Sequence, residues 1–200
     1  MPKSTFKNLP TERQEYIRGI LLDIFYAKPL GQVKVSEIVS ALNMSRGIFY
    51  KYFEDLNEAY DYLIHYYAGI VHGEIIGYIT HQKSDYFKGI ENFLLSYVDL
   101  EETEPKYRQL ALLTQNSYLF SYRSPMAHGM DAWTAILQEN HFNIQSEAES
   151  VSFLYFSMKL VIDSLTDMLA NDWSKEELIH DYRFKARWLT EGLQQKNSLK

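Results

Sequence analysis

Apolar residues recur at helical spacing along the whole of this chain, and that regularity leaves little room for any fold but a helical one. Ile17, Ile20, Leu21, Ile24 and Phe25 fall at i, i+3, i+4, i+7 and i+8, one face of a 3.6-residue period. Val35, Ile38, Val39 and Leu42 repeat the pattern over a shorter span, and Ile48, Phe49, Tyr52 and Phe53 repeat it again. The 200 residues include only 9 Gly and 5 Pro, so the turn residues that a β-rich chain needs are scarce. Further helices are expected from Asp55 towards Thr80 and over about 86–100, 106–120, 126–140, 147–171 and 175–195.

Local start signals mark many of these segments. Thr11 with Gln14, Ser146 with Glu149 and Ser174 with Glu177 have the spacing of capping boxes. Ser45 and Asp55 are suited to cap the helices that follow them, and Pro125 suits a first helical position. Asn43 and Met44 separate the second short pattern from the third, while Pro29 and Gly31 end the first.

Composition excludes several classes of function. Cysteine is absent, which removes disulfides, thiolate metal sites and cysteine nucleophiles and fits a reducing cytoplasm, the expected location. Residues 1–10 are polar with no apolar core, so no signal peptide is expected. The densest apolar stretch, 151–169, is broken by Lys159 and Asp163, so no membrane span is expected. No G-x-S-x-G, P-loop or G-x-G-x-x-G occurs. His65 and His72 share a helix face near Glu74 but lack a tight ligand set, and they read as polar helix surface. Glu101-Glu102 and Glu176-Glu177 read as solvated helix ends. Neither an enzyme, a metal site nor a cofactor is expected.

The net charge of −6 argues against a nucleic-acid partner until it is divided along the chain. Residues 1–55 carry +2 and residues 56–200 carry −8. The weakly basic end is also the end with three short helical patterns, the last two joined by a tight turn, which is the sequence shape of a helix-turn-helix. In the segment 45–53, Ile48, Phe49, Tyr52 and Phe53 are expected to turn inward, leaving Ser45, Arg46, Gly47, Tyr50 and Lys51 outside. A free outer face of one helix is what the major groove admits. Gly47 costs roughly 1 kcal/mol against Ala inside a helix, which suggests close backbone approach to a partner.

The residues 20–63 resemble the N-terminal domain of the TetR family of transcription factors. The resemblance lies in Ile24-Phe25, Ile38-Val39 and above all the run Met44-Ser45-Arg46-Gly47-Ile48-Phe49-Tyr50-Lys51-Tyr52-Phe53, and covers about a quarter of the chain. It implies a homodimer reading an inverted repeat in double-stranded operator DNA, most simply as a repressor released by a small-molecule effector. It also implies roles: Arg46 and Gly47 near bases or backbone, Tyr50 and Lys51 near phosphates, Ser45 beside a phosphate, and Lys34 just before the second helix. Two positions depart from the pattern, since Val33 stands where the family has Thr and Leu56 where it often has Lys. Lys3, Lys7 and Arg13 offer further cations nearby.

The resulting expectation is an all-α chain with a DNA-binding helix-turn-helix domain over 1–55 and a larger helical bundle over 56–200. The bundle would bind an effector and dimerise through its last two helices. The C-terminal aromatic residues can simply fill the core, and the resemblance adds an effector cavity, for which Tyr66, Phe93, Tyr97, Asn116, Phe120, Trp133 and Phe156 are the candidates. Apolar residues surround nearly every side of 151–169, so that helix needs a partner beyond its own core. Leu154, Met158, Ile162, Leu165, Tyr182 and Leu189 are the expected dimer contacts, with Phe184 and Trp188 on a second stripe. Two rival readings stand beside it: a helical interaction protein that has kept the fold and lost DNA binding, and an enzyme or metal-binding helical bundle built around His65 and His72.

Overall fold

The computed structural model describes residues 1–117 and 130–192, and among these the regular elements are all helical. In chain order they are α1 (Ser4–Lys7), α2 (Thr11–Ala27), α3 (Val35–Ala41), α4 (Arg46–Tyr52) and α5 (Leu56–His81). There follow α6 (Tyr86–Leu95), α7 (Pro105–Gln115), α8 (Met130–Glu139), α9 (Glu147–Asn171) and α10 (Lys175–Glu191). A short 3-10 turn, Leu30–Gln32, links α2 to α3. The fold class is all-α, as the periodicity requires. Phe120, the expected helix start at Pro125 and an extension to Gln195 lie outside the described residues.

Most helix ends follow from residues within four positions. The Ser45 hydroxyl accepts from the Ile48 amide at 3.4 Å and begins α4. Asp55 Oδ1 accepts from the Glu58 amide at 2.8 Å, while Glu58 Oε2 accepts from the Glu54 amide at 2.6 Å, a reciprocal cap that launches α5. Ser146 caps α9, and Ser174 with Glu177 forms a complete capping box on α10. The box expected between Thr11 and Gln14 does not form, because Thr11 is itself helical. Gln14 Nε2 instead donates to the carbonyls of Lys7 (3.1 Å) and Leu9 (2.9 Å), tying the preceding turn to α2. Helix α6 stops earlier than the periodicity suggests, and beyond it Asp99 has a left-handed backbone (φ 67°).

The chain divides into two compact units, and the division falls inside α5. The first unit comprises residues 1–72 and 100–116. Its core holds Ile17, Leu21, Leu22, Phe25, Ile38, Leu42, Phe49, Phe53, Leu63 and Ile64, with Leu110 and Leu113 from α7. Helix α7 packs along α2, where Arg108 Nη1 pairs with Asp23 at 2.5 Å and the same guanidinium donates to the carbonyls of Glu102 and Thr103. Arg18 is buried on the second inner side of α2. Its Nη1 donates to the Tyr62 hydroxyl at 3.0 Å and its guanidinium lies 4.0 Å from the Tyr66 ring centre.

The second unit comprises residues 73–99 and 117–200. Helices α6, α9 and α10 pack on one another, and Tyr86, Phe93, Trp133, Leu165 and Tyr182 are buried among its helices. Gly89 is where α6 touches the end of α5, for a side-chain carbon there would lie 2.6 Å from Ile79 Cα. Only a residue without Cβ permits that approach.

Candidate nucleic-acid interface

Helix α4 is held from three sides. Phe49 and Phe53, one turn apart, are fully buried and define its inner stripe. Helix α3 packs across it as the first helix of the pair, and α1 packs at its far end. Phe6, from the N-terminal arm, is buried with ring centres 5.8 Å from Tyr52, 5.1 Å from Phe53 and 5.2 Å from Tyr62.

The same arm satisfies the end of α4. Lys3 Nζ donates to the Tyr50 carbonyl at 3.0 Å, the Lys3 amide to the Tyr52 carbonyl at 2.9 Å, and the Thr5 hydroxyl to the Lys51 carbonyl. These are carbonyls that a short helix leaves without internal partners. Sequence reasoning missed this clamp; its one local signal is Phe6, an isolated bulky apolar residue in a polar arm.

The outer face of α4 presents Arg46, Gly47, Tyr50 and Lys51, as expected, and all four are exposed. Ile48 corrects the reading. It was expected to face inward, yet it is 36% exposed and lies on the outer side with them. The reason is angular: Phe49 and Phe53 fix the buried stripe, and Ile48 sits about 100° around the helix from Phe49. Gly47 is also informative, because a Cβ there would meet nothing closer than the Ser45 hydroxyl at 3.8 Å. No packing inside the protein requires a glycine, despite its cost of roughly 1 kcal/mol in a helix.

Charge is distributed to the same effect. In this unit Lys3 pairs with Glu54 at 3.0 Å, Lys28 with Glu37 and Arg108 with Asp23. Among the described residues no carboxylate pairs with Arg46 or Lys51, so both keep their charge directed at solvent. Lys34 is exposed immediately before α3, where its charge helps lower the Glu37 pKa behind the larger effect of the Lys28 hydrogen bond. Arg13 lies over the Tyr16 ring. Val33, at the departure from the family pattern, is buried and precedes the N-cap of α3, Lys34, so its side chain serves the core. Leu56 is the first residue of α5 and half-buried.

The expected effector residues among those described are divided between the two units. Tyr66 belongs to the first unit, beneath Arg18, and Asn116 ends α7 there with its Nδ2 donating to the Leu112 carbonyl at 2.7 Å. Phe93 and Tyr97 meet in the second unit at 4.9 Å. Burial pushes the Tyr97 hydroxyl pKa well up, and that hydroxyl donates to Glu74 Oε2 at 3.0 Å. Trp133 joins a separate cluster with Tyr86 and Phe153, its Nε1 donating to the Ser150 carbonyl at 3.1 Å. Phe156 is 47% exposed. A groove of about 520 Å³ lies elsewhere in this unit, lined by Glu74, Gly77, Tyr78, His81, Gln82 and Asn92.

Of the expected dimer contacts, Leu165 and Tyr182 are consumed by the unit's own core, Tyr182 with its hydroxyl on the Phe87 carbonyl at 2.9 Å. Leu154, Met158 and Ile162 are half-buried and Leu189 is exposed. The outward apolar side chains of α9 and α10 are Phe156, Phe184, Trp188 and Leu189. Phe184 and Trp188 run parallel with ring centres 6.4 Å apart. Among the described residues no helix is long and apolar enough to cross a membrane.

Two solved structures are similar to this chain. A TetR transcriptional regulator from Rhodococcus sp. RHA1 is 19% identical, covering 92% of this chain and 99% of its own, with a TM-score of 0.47. A TetR family transcriptional regulator from Chloroflexus aurantiacus J-10-FL is also 19% identical, covering 95% of this chain and 91% of its own, with a TM-score of 0.42. No curated protein matches the sequence. The family model described as Tetracyclin repressor-like, C-terminal domain, matches residues 85–193, more than half of the chain and entirely outside the helix-turn-helix. On that match the chain belongs to the TetR family of transcriptional regulators.

Proposed function

We propose that this chain is a dimeric transcriptional repressor that binds a two-fold related operator through α4 and is released from it by a small-molecule effector. Residues 1–55 would contact DNA, and 56–200 would bind the effector and dimerise. The observation that carries the reading is the outer face of α4. Arg46 and Lys51, two cations without ion-pair partners among the described residues, flank an exposed tyrosine and a glycine that packing among those residues does not use. Cations free of carboxylates are available for phosphates, and a helix of this width fits the major groove.

Dimerisation finds support in the exposed Phe156, Phe184, Trp188 and Leu189. Four large apolar side chains on two adjacent helices are what a self-complementary interface buries. The Glu74 groove supports an effector site of small-molecule size, with a carboxylate and the Tyr78 ring on its wall. Release then needs only that the effector prefer the geometry in which the two α4 helices no longer match both half-sites.

The test is selection of bound fragments from a random-sequence duplex library, followed by a salt titration on the best fragment. An inverted repeat should emerge, with affinity falling steeply as salt rises. Lys51→Ala should weaken binding to all fragments and lower the salt slope by about 1, as loss of one phosphate contact does. Tyr50→Ala should also weaken binding. No enriched sequence, with only weak binding that vanishes at physiological salt, would favour the interaction-protein reading.

A further inference from the structure

We infer that Ile48 reads a thymine in each half-site, by packing on the thymine C5-methyl group, and that Gly47 lets α4 sit close enough for that contact. The inference rests on the DNA-binding reading above. A single exposed isoleucine needs no explanation on an ordinary surface. Its setting here is not ordinary. Ile48 lies on the outer side of α4, beside Gly47 in sequence, and the same short helix carries Arg46 and Lys51, both exposed and paired with no carboxylate among the described residues. Charge of that kind selects a polyanion, so the surface that covers Ile48 is the one the two cations attract.

Within the major groove the base edges offer donors, acceptors and one apolar group, the methyl of thymine. A branched aliphatic side chain has nothing to gain from a donor or an acceptor. It loses water favourably only against that methyl. Gly47 points the same way by an independent route. A Cβ would fit there without a clash, its nearest neighbour being the Ser45 hydroxyl at 3.8 Å, and alanine would make the better helix. The space that the missing side chain leaves open lies on the outer side of α4, which it lets approach a partner more closely.

The experiment begins from the inverted repeat recovered by wild-type protein from the random-sequence library. Each thymine of the repeat is replaced in turn by deoxyuridine, which keeps every hydrogen-bonding group and lacks only the methyl. One position per half-site should weaken wild-type binding about fourfold, the worth of one methylene-sized contact, and about fifteenfold with both half-sites changed. Ile48→Ala should bind the unmodified repeat more weakly and show no further loss on the deoxyuridine duplex. Its thermal unfolding should match wild type, since the side chain is outside the core. Gly47→Ala should melt no lower than wild type and bind every duplex more weakly.

Uniform indifference to deoxyuridine, or an equal penalty in wild type and Ile48→Ala, overturns the proposal while leaving DNA binding intact. A repeat without enriched thymine in its half-sites does the same. Gly47→Ala binding at wild-type strength overturns the role given to Gly47. If no repeat is recovered at all, the DNA-binding reading fails and this inference fails with it.

Discussion

Glu91 is a carboxylate that the second unit encloses and then compensates. Arg183 grips it through Nε at 2.8 Å and Nη2 at 2.9 Å, and Lys88 Nζ adds a third bond at 2.5 Å. The Arg183 hydrogen bonds, aided by Lys88 and opposed by burial, hold its carboxyl pKa at about 2 against an ordinary 4.5. An acid depressed in this way stabilises the fold fully above its unfolded value, and the contribution disappears as pH falls from 4.5 through about 2. Glu91→Gln should therefore cost about 1–3 kcal/mol at neutral pH, below the fully buried range because the Arg183 side chain is 63% exposed. The gap between variant and wild type in chemical denaturation should narrow towards low pH; a gap independent of pH would refute the assignment. On α4, Ser45→Ala should cost about 0.5–1 kcal/mol, at the lower end for a cap because its bond is long at 3.4 Å, and thermal unfolding would register it.

At the scale of elements, one substitution should have opposite signs in two helices. Gly89→Ala puts a carbon 2.6 Å from the Ile79 backbone, which cannot yield as a flexible side chain would. It should destabilise by about 1–3 kcal/mol, as overpacking does. Gly47→Ala meets open space and should be neutral or stabilising. Urea midpoints for the pair would decide it, and a neutral Gly89→Ala would sink the close-approach argument. The arm that closes on α4 is the second element with a measurable consequence. Phe6→Ala removes a buried ring from between Tyr52, Phe53 and Tyr62 and should cost about 3 kcal/mol. DNA affinity should fall with it, because the carbonyls of Tyr50, Lys51 and Tyr52 lose the donors that hold the end of α4 in place.

For the molecule as a whole, an overall charge of −6 coexists with a weakly basic N-terminal part, because residues 1–55 carry +2 and residues 56–200 carry −8. The outward aromatics of α9 and α10 give the corresponding prediction about assembly. Trp188, 41% exposed, and Phe184, 38% exposed, should lie inside the dimer contact. Replacing both with Asp should yield a folded monomer by light scattering, with operator affinity reduced at least a hundredfold because a single half-site remains. A double variant that stays dimeric would place the interface elsewhere.

The parts legible in the sequence are those decided within a few residues. The helices, the caps at Ser45, Asp55, Ser146 and Ser174, and the exposed Arg46, Gly47, Tyr50 and Lys51 all follow from spacing and local hydrogen bonding. The sequence by itself also determined the helical class, because a 3.6-residue period leaves each segment one way to bury its apolar stripe. Tertiary structure decided what meets the second face of each helix. It turned Ile48 outward, used Arg18 and α7 to bury the far side of α2, and brought the N-terminal arm onto α4. It also assigned Tyr66 and Asn116 to one compact unit and Phe93 and Trp133 to the other, which composition could not distinguish. The physical reason is range: capping and periodicity act within a turn or two, whereas partners 40 to 90 residues away are chosen by the packing of the whole chain.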